Sequence, residues 1–231
     1  MKKVVQRSND RGHADYGWLK TKYSFSFADY YNPKRTGFGK LLVLNDDIIS
    51  PKRGFGKHGH KDMEIITIVF KGELTHEDST GSIGKIGSGE IQVMSAGTGI
   101  LHGEMNNSDE TVELFQIWIR PDKLRVKPGY ETKSFDLKEN ELNLVVGNQE
   151  NDNLFINQDA KIYLVKLNKE KLISYNLKKN KGIFLIVKSG NIKIKQENLK
   201  EKDSIEIWDI SEVEIESLED SEFVLIEVPL N

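Results

Sequence analysis

Two short stretches constrain this chain more than any others: Gly56-Lys57-His58-Gly59-His60 and Gly99-Ile100-Leu101-His102-Gly103-Glu104. Each carries two metal-ligand side chains at positions i and i+2. Side chains of an extended strand alternate between its faces, so His58 and His60 point one way, as do His102 and Glu104. If the two strands are neighbours, four donors converge. Three imidazoles and a carboxylate suit a first-row divalent ion and leave part of an octahedron open for water, dioxygen or substrate. A lone histidine is ordinarily a plain surface or core residue, but three of the five in this chain fall in these stretches, with His13 and His76 outside them. Glu64 shares the strand parity of His58 and His60 and competes with Glu104 for the fourth position. A straight strand separates His60 from Glu64 by roughly 13 Å, which favours Glu104 and leaves Glu64 as a supporting or alternative ligand.

The flanking sequence is built of short strand signals. Leu41 to Ile49 reads as a buried strand followed by a polar turn, Glu64–Phe70, Glu90–Met94 and Val112–Ile119 read as further strands, and Phe25 and Phe27 alternate with serines as in a half-buried strand. After Pro128-Gly129 the pattern resumes at Lys161–Leu167, Ile173–Leu177, Ile183–Val187, Ile192–Lys195, Ser204–Trp208, Val213–Ile215 and Phe223–Val228, with Ser189-Gly190-Asn191 read as a hairpin turn. The expectation is an all-β chain of two small β-barrel domains, 1–135 bearing the metal and 136–231 without a histidine and hence without a second copy of the site. One short helix is fitted near Gln158 or Glu139.

Composition excludes several chemistries. The absence of cysteine removes disulfides, zinc-thiolate sites, iron-sulfur clusters and thiol catalysis. No apolar run follows the charged N-terminus and no stretch reaches membrane-spanning length, which argues for a cytoplasmic protein without membrane association. Residues 1–60 carry 12 Lys+Arg against 5 Asp+Glu, yet these charges form no repeating basic face, which argues against nucleic acid. The glycines at 81, 84, 87 and 89 punctuate tight turns and do not form a dinucleotide fingerprint between a strand and a helix.

The two ligand stretches resemble the two cupin motifs, and the wording narrows the resemblance to the pirin family. Phe25 to Pro33, Arg53 to His58, Asp62 to Thr67, Gly72 to Ser79 and Met94 to Glu104 carry it across the first 130 residues. The C-terminal half is similar only in outline. The resemblance implies a bicupin of two jelly-roll barrels with one metal held by His58, His60, His102 and Glu104. That metal is usually Fe(2+), with Ni, Co, Mn, Cu or Zn as alternatives. It further implies a quercetin 2,3-dioxygenase-type reaction: a flavonol or similar enol, bound through its deprotonated 3-hydroxyl, would be opened by O2 with release of carbon monoxide, Glu104 doubling as the catalytic base. The alternatives within the same resemblance are an iron-binding redox sensor that contacts a regulatory protein partner, and another cupin metalloenzyme such as an isomerase. Gly59 stands where many relatives have proline, and Tyr23 where relatives often have histidine.

Overall fold

The computed structural model describes residues 1–149 and 152–231. Among them the regular structure is strand, apart from a single 3-10 turn at Ser8–Asp10. In the first half, a seven-stranded sheet runs in the order Gly129–Ser134, Glu90–Ser95, Glu64–Lys71, Val112–Ile119, Leu41–Ile49, Leu19–Tyr23, Gly12–Asp15. It faces a four-stranded sheet ordered Arg53–His60, Ile100–Asn106, Glu73–Asp78, Ile83–Gly87. The second half repeats the plan. Its larger sheet runs Lys2–Gln6, Ser204–Trp208, Lys181–Ser189, Ser221–Pro229, Lys161–Leu167, Asn143–Gly147, Leu154–Phe155, and its smaller one Leu172–Asn176, Glu212–Ser217, Asn191–Ile194, Glu197–Lys200. Each half is a jelly roll of cupin type, two facing sheets that do not hydrogen-bond into a closed cylinder. The strand Lys2–Gln6 lies in the second half, antiparallel to Ser204–Trp208, although it opens the chain.

Strand periodicity divides the larger sheet of the first half into two faces. In Val112–Ile119, Phe115, Ile117 and Ile119 point outward into a core shared with Phe184, Ile186, Val224 and Ile226 of the second half, so the two larger sheets pack back to back. Val112 and Leu114 point inward and pack with Val69, Leu74 and Ile86 between the facing sheets. Full burial of each such aliphatic side chain contributes about 1.5–3 kcal/mol. The remaining inward positions of this strand, Gln116 and Trp118, are spent on the site.

Charge also joins the halves. Arg35 Nη1 lies 2.5 Å from Glu206 Oε1 with both side chains nearly buried, while its Nε donates to the Ser24 carbonyl and its guanidinium covers the Phe25 ring.

Three sequence expectations are corrected here. Neither Gln158 nor Glu139 is helical: Gln158 is held in a loop by hydrogen bonds to Arg120 O and Asp159 N, and Glu139 forms a parallel bridge to Lys166. Ser189-Gly190-Asn191 closes no hairpin, because the strands on either side belong to different sheets. Gly190 turns that corner with φ +90, hard against Ser221, where a side chain has no room. Past Tyr23 the aromatic stretch leaves the sheet, so that Phe25 packs on Phe184 of the second half and Phe27 on Trp118.

Candidate metal centre

The two ligand stretches are neighbouring strands. Arg53–His60 and Ile100–Asn106 pair antiparallel with His58 opposite His102, and the register shifts between His102 and Glu104. Gly54 makes this close approach practicable, since a Cβ there would collide with the Glu104 carbonyl. The imidazoles of His58, His60 and His102 have ring centroids 4.5 to 4.9 Å apart, and one nitrogen from each lies within 4.8 Å of the other two. His58 Nδ1 is bonded to Gly56 O at 2.8 Å, which leaves Nε2 as the uncommitted ring nitrogen. Both nitrogens of buried His102 lack a partner within the protein. Burial, reinforced by the neighbouring histidines, lowers His60 to about 4 and His102 to about 3, so both are neutral near pH 7 and present lone pairs. This donor set fits a divalent transition metal.

Glu104 joins the cluster through His102. A second donor group comprises His76, His102 and Glu104, all buried and mutually within 4.8 Å, so His102 is the member common to both groups. The Glu104 carboxylate is oriented from beneath. Gln116 Nε2 donates to Oε2 at 2.9 Å, and Gln92 Nε2 and Thr67 Oγ1 approach Oε1 at 3.4 and 3.5 Å. Trp118 Nε1 donates to Gln116 Oε1, which fixes the amide with its NH2 toward Glu104. Burial raises the Glu104 pKa above the usual carboxylate range, opposed by His76 and His58.

These supporting side chains form one line across the larger sheet. Tyr23 pairs with Asn45, Asn45 with Gln116, Gln116 with Thr67, and Thr67 with Gln92. Every member occupies an inward position, so a polar rung crosses this face directly below the clustered imidazoles. The sequence reading missed this rung and left His76 unassigned. His76 Nε2 bonds Asp78 Oδ2 at 3.0 Å, its Nδ1 is buried without a partner, and its ring stacks on Tyr130 at 4.4 Å. A histidine held by a carboxylate on one nitrogen and free on the other has the arrangement of an oriented metal ligand. Its signal was present as His76-Glu77-Asp78, a third pair of ligand-type residues at i and i+2. Glu64, the competing carboxylate, is elsewhere: Ser95 Oγ donates to it at 2.6 Å and Asn157 Nδ2 at 3.2 Å, and it belongs to neither donor group. Asn106 is consumed by three backbone carbonyls, those of Ile49, Ser50 and Glu110.

A cavity of about 360 Å³ reaches His58 and Glu104, with Trp18, Tyr23, Phe27, Phe55 and Trp118 among its walls. Trp118 meets the edge of His60 at 4.8 Å and Phe27 at 5.3 Å. Flat aromatic walls beside a metal-ligand cluster accommodate a planar organic molecule with one end at the metal.

Two facing-sheet units back to back, with converging imidazoles between the sheets of the first, define a double cupin. The chain belongs to the pirin family: the Pirin family model matches residues 4–119, and that of the quercetinase C-terminal cupin domain matches residues 144–228. It is 38% identical over 226 residues to a quercetin 2,3-dioxygenase of Escherichia coli strain K12, covering 97% of this chain and 98% of the relative. It is 40% identical over 220 residues to a pirin-like protein of Caulobacter vibrioides, covering 94% and 95%. The crystal structure of the Escherichia coli bacterial pirin YhhW in complex with nickel(II) superposes with a TM-score of 0.96 at 37% identity, covering all of both chains.

Proposed function

We propose that this protein is a metal-dependent dioxygenase of the quercetin 2,3-dioxygenase type, acting in the cytoplasm on a flavonol or similar enol. The observation that carries the reading is an aromatic-walled cavity opening onto a cluster of three imidazoles with a buried, oriented carboxylate beside it. The name of the Escherichia coli relative, a quercetin 2,3-dioxygenase matched over nearly its whole length, supports it. His58, His60, His102 and Glu104 are the proposed ligands, with Fe(2+) the proposed ion, and His76 is a further donor within reach of His102 and Glu104. Residues 1–135 are the proposed metal-bearing unit and 136–231 the proposed unit without ligands, the strand Lys2–Gln6 being contributed to the latter.

When bound, the metal supplies Lewis acidity toward the enol oxygen and a redox centre toward dioxygen. The protein does the rest. Trp118, Phe27 and Phe55 hold the planar ring system and exclude water from it. Glu104 takes the 3-hydroxyl proton, a task favoured by a pKa that burial has raised toward that of the enol, while Gln116 holds the receiving carboxylate in one orientation. Protein prepared anaerobically with Fe(2+) is expected to consume quercetin on exposure to air and to release carbon monoxide. Loss of both in Glu104→Ala, and no quercetin loss in controls lacking protein, is the required pattern; intact metal binding with unchanged quercetin defeats the reading.

A further inference from the structure

Of three polar side chains on the cavity wall, only Asn45 belongs to the rung beneath the imidazoles, and none is hydrogen-bonded to a proposed ligand. Thr21, Asn45 and Asp47 are 3, 3 and 2% exposed, and Thr21 Oγ1, Asn45 Oδ1 and Asp47 Oδ1 are all buried without a hydrogen-bond partner. Their strands are adjacent. Thr21 pairs directly with Asp47 across Leu19–Tyr23 and Leu41–Ile49, and Asn45, two residues from Asp47, shares its face. All three line the same cavity as His58 and Glu104.

Buried polar groups are satisfied in the great majority of cases, and leaving one unpaired is destabilising. Three unpaired oxygens in one wall are therefore not explained by packing, since Val, Leu and Leu would fill the same volumes without the desolvation penalty. Alternate outward residues of the same strand behave normally: Leu44 is in the core between the halves, and Asp46 bonds Arg11 and Lys202. Along this strand the anomaly is confined to the cavity face. An occupant bringing hydroxyl donors and acceptors would satisfy it. Burial, opposed by the facing Thr21 hydroxyl and by Arg11 and reinforced by Asp46 and Glu104, pushes the Asp47 carboxyl up to about 7, so near neutral pH a sizeable share of it is uncharged and both donates and accepts.

We propose that Thr21, Asn45 and Asp47 form a hydroxyl-reading wall that binds the phenolic hydroxyls on the part of the substrate away from the metal. The wall selects polyhydroxylated aromatic enols over analogues lacking those groups. This rests on the dioxygenase reading for the identity of the substrate, and it is a matter of specificity, not of the oxygenation chemistry. A site built to hydrogen-bond a hydroxyl discriminates strongly against its absence, because its own buried groups are then left unpaired.

The test compares quercetin with galangin, the flavonol without hydroxyls on its pendant ring. Nickel-loaded protein is titrated anaerobically with each, read through tryptophan fluorescence, since Trp18 and Trp118 both line the cavity. Quercetin is expected to bind about tenfold more tightly, the effect of one buried hydrogen bond. Asp47→Leu and the near-isosteric Thr21→Val should each bring the ratio toward one by weakening quercetin alone. Asp47→Leu should also melt no lower than the parent, because it removes an unpaired buried carboxyl; a purely structural residue would lower the melting temperature. Equal affinities in the parent protein, no binding of either flavonol, or a ratio unchanged in both variants overturns the proposal. Oxygen uptake by Fe(2+)-loaded protein, measured in parallel, separates the two ideas. Discrimination without turnover defeats the dioxygenase and leaves the wall standing, whereas turnover without discrimination defeats the wall and leaves the dioxygenase.

Discussion

His58 and His102 stand directly opposite one another on paired antiparallel strands, with ring centroids 4.5 Å apart. Directly opposed residues in such a ladder have the shortest side-chain separation a sheet offers, so two strands fix the spacing of these imidazoles. His60 and Glu104 are then placed by the i, i+2 repeat, one on each strand, with a register shift intervening before Glu104.

Because His102 belongs to both donor groups, its removal should be the most damaging single ligand change. His102→Ala is expected to retain less than about a tenth of the parent's metal after dialysis, with the fold kept. The measurement is metal per chain by elemental analysis, beside a thermal melt.

Gln116 touches the proposed ligand Glu104 and is not itself a proposed donor to the metal. Gln116→Leu removes the 2.9 Å hydrogen bond and should weaken metal affinity or activity by about 10- to 100-fold, the range for lost partners of metal ligands. Gln116→Glu should do worse, since it sets a second carboxyl against a buried one. Competition with a chelator of known affinity reads both.

The unpaired Asp47 gives the metal-free protein a distinctive pH dependence. Its pKa is about 7 in the folded chain against 3.8 for an unperturbed group. Between those values the folded state holds a proton that the unfolded state has lost, so this group makes stability fall as pH rises from about 4 to about 7, with no further effect above. Asp47→Asn removes that dependence. The difference in melting temperature, variant minus parent, should grow across this window and then level off. A difference that is flat or declining with pH contradicts the assignment.

At the junction between the halves, Arg35→Ala leaves Glu206 buried without its partner and should destabilise the protein by about 3–5 kcal/mol, measured by urea denaturation. Burial already raises the Glu206 pKa, opposed by Arg35, so Arg35→Ala combined with Glu206→Gln should recover part of the loss.

The parts of the site that could be read before folding were those whose spacing carries geometry. His58-Gly59-His60 and His102-Gly103-Glu104 announce a shared face through parity, and the apolar runs announce strands. The polar rung from Tyr23 to Gln92 announces nothing, because its members lie one to a strand on five separate strands and each could as well face solvent. What unites them is register across five strands, which depends on contacts far apart in the chain. The same holds for Glu64, whose parity matched the ligands but whose strand lies in the opposite sheet, where Ser95 and Asn157 take up its carboxylate.

The pairing of Lys2–Gln6 with Ser204–Trp208 sets an order of events during synthesis. The strands from Gly12 to Ser134 can close around the metal-ligand side chains while the ribosome is still working, at rates of about 5–20 residues per second. The strand Lys2–Gln6 must wait for a partner made some two hundred residues later. A segment translated ahead of Gly12–Ser134 thus finds its place after it, and until then its unpaired edge is exposed to any other strand it meets.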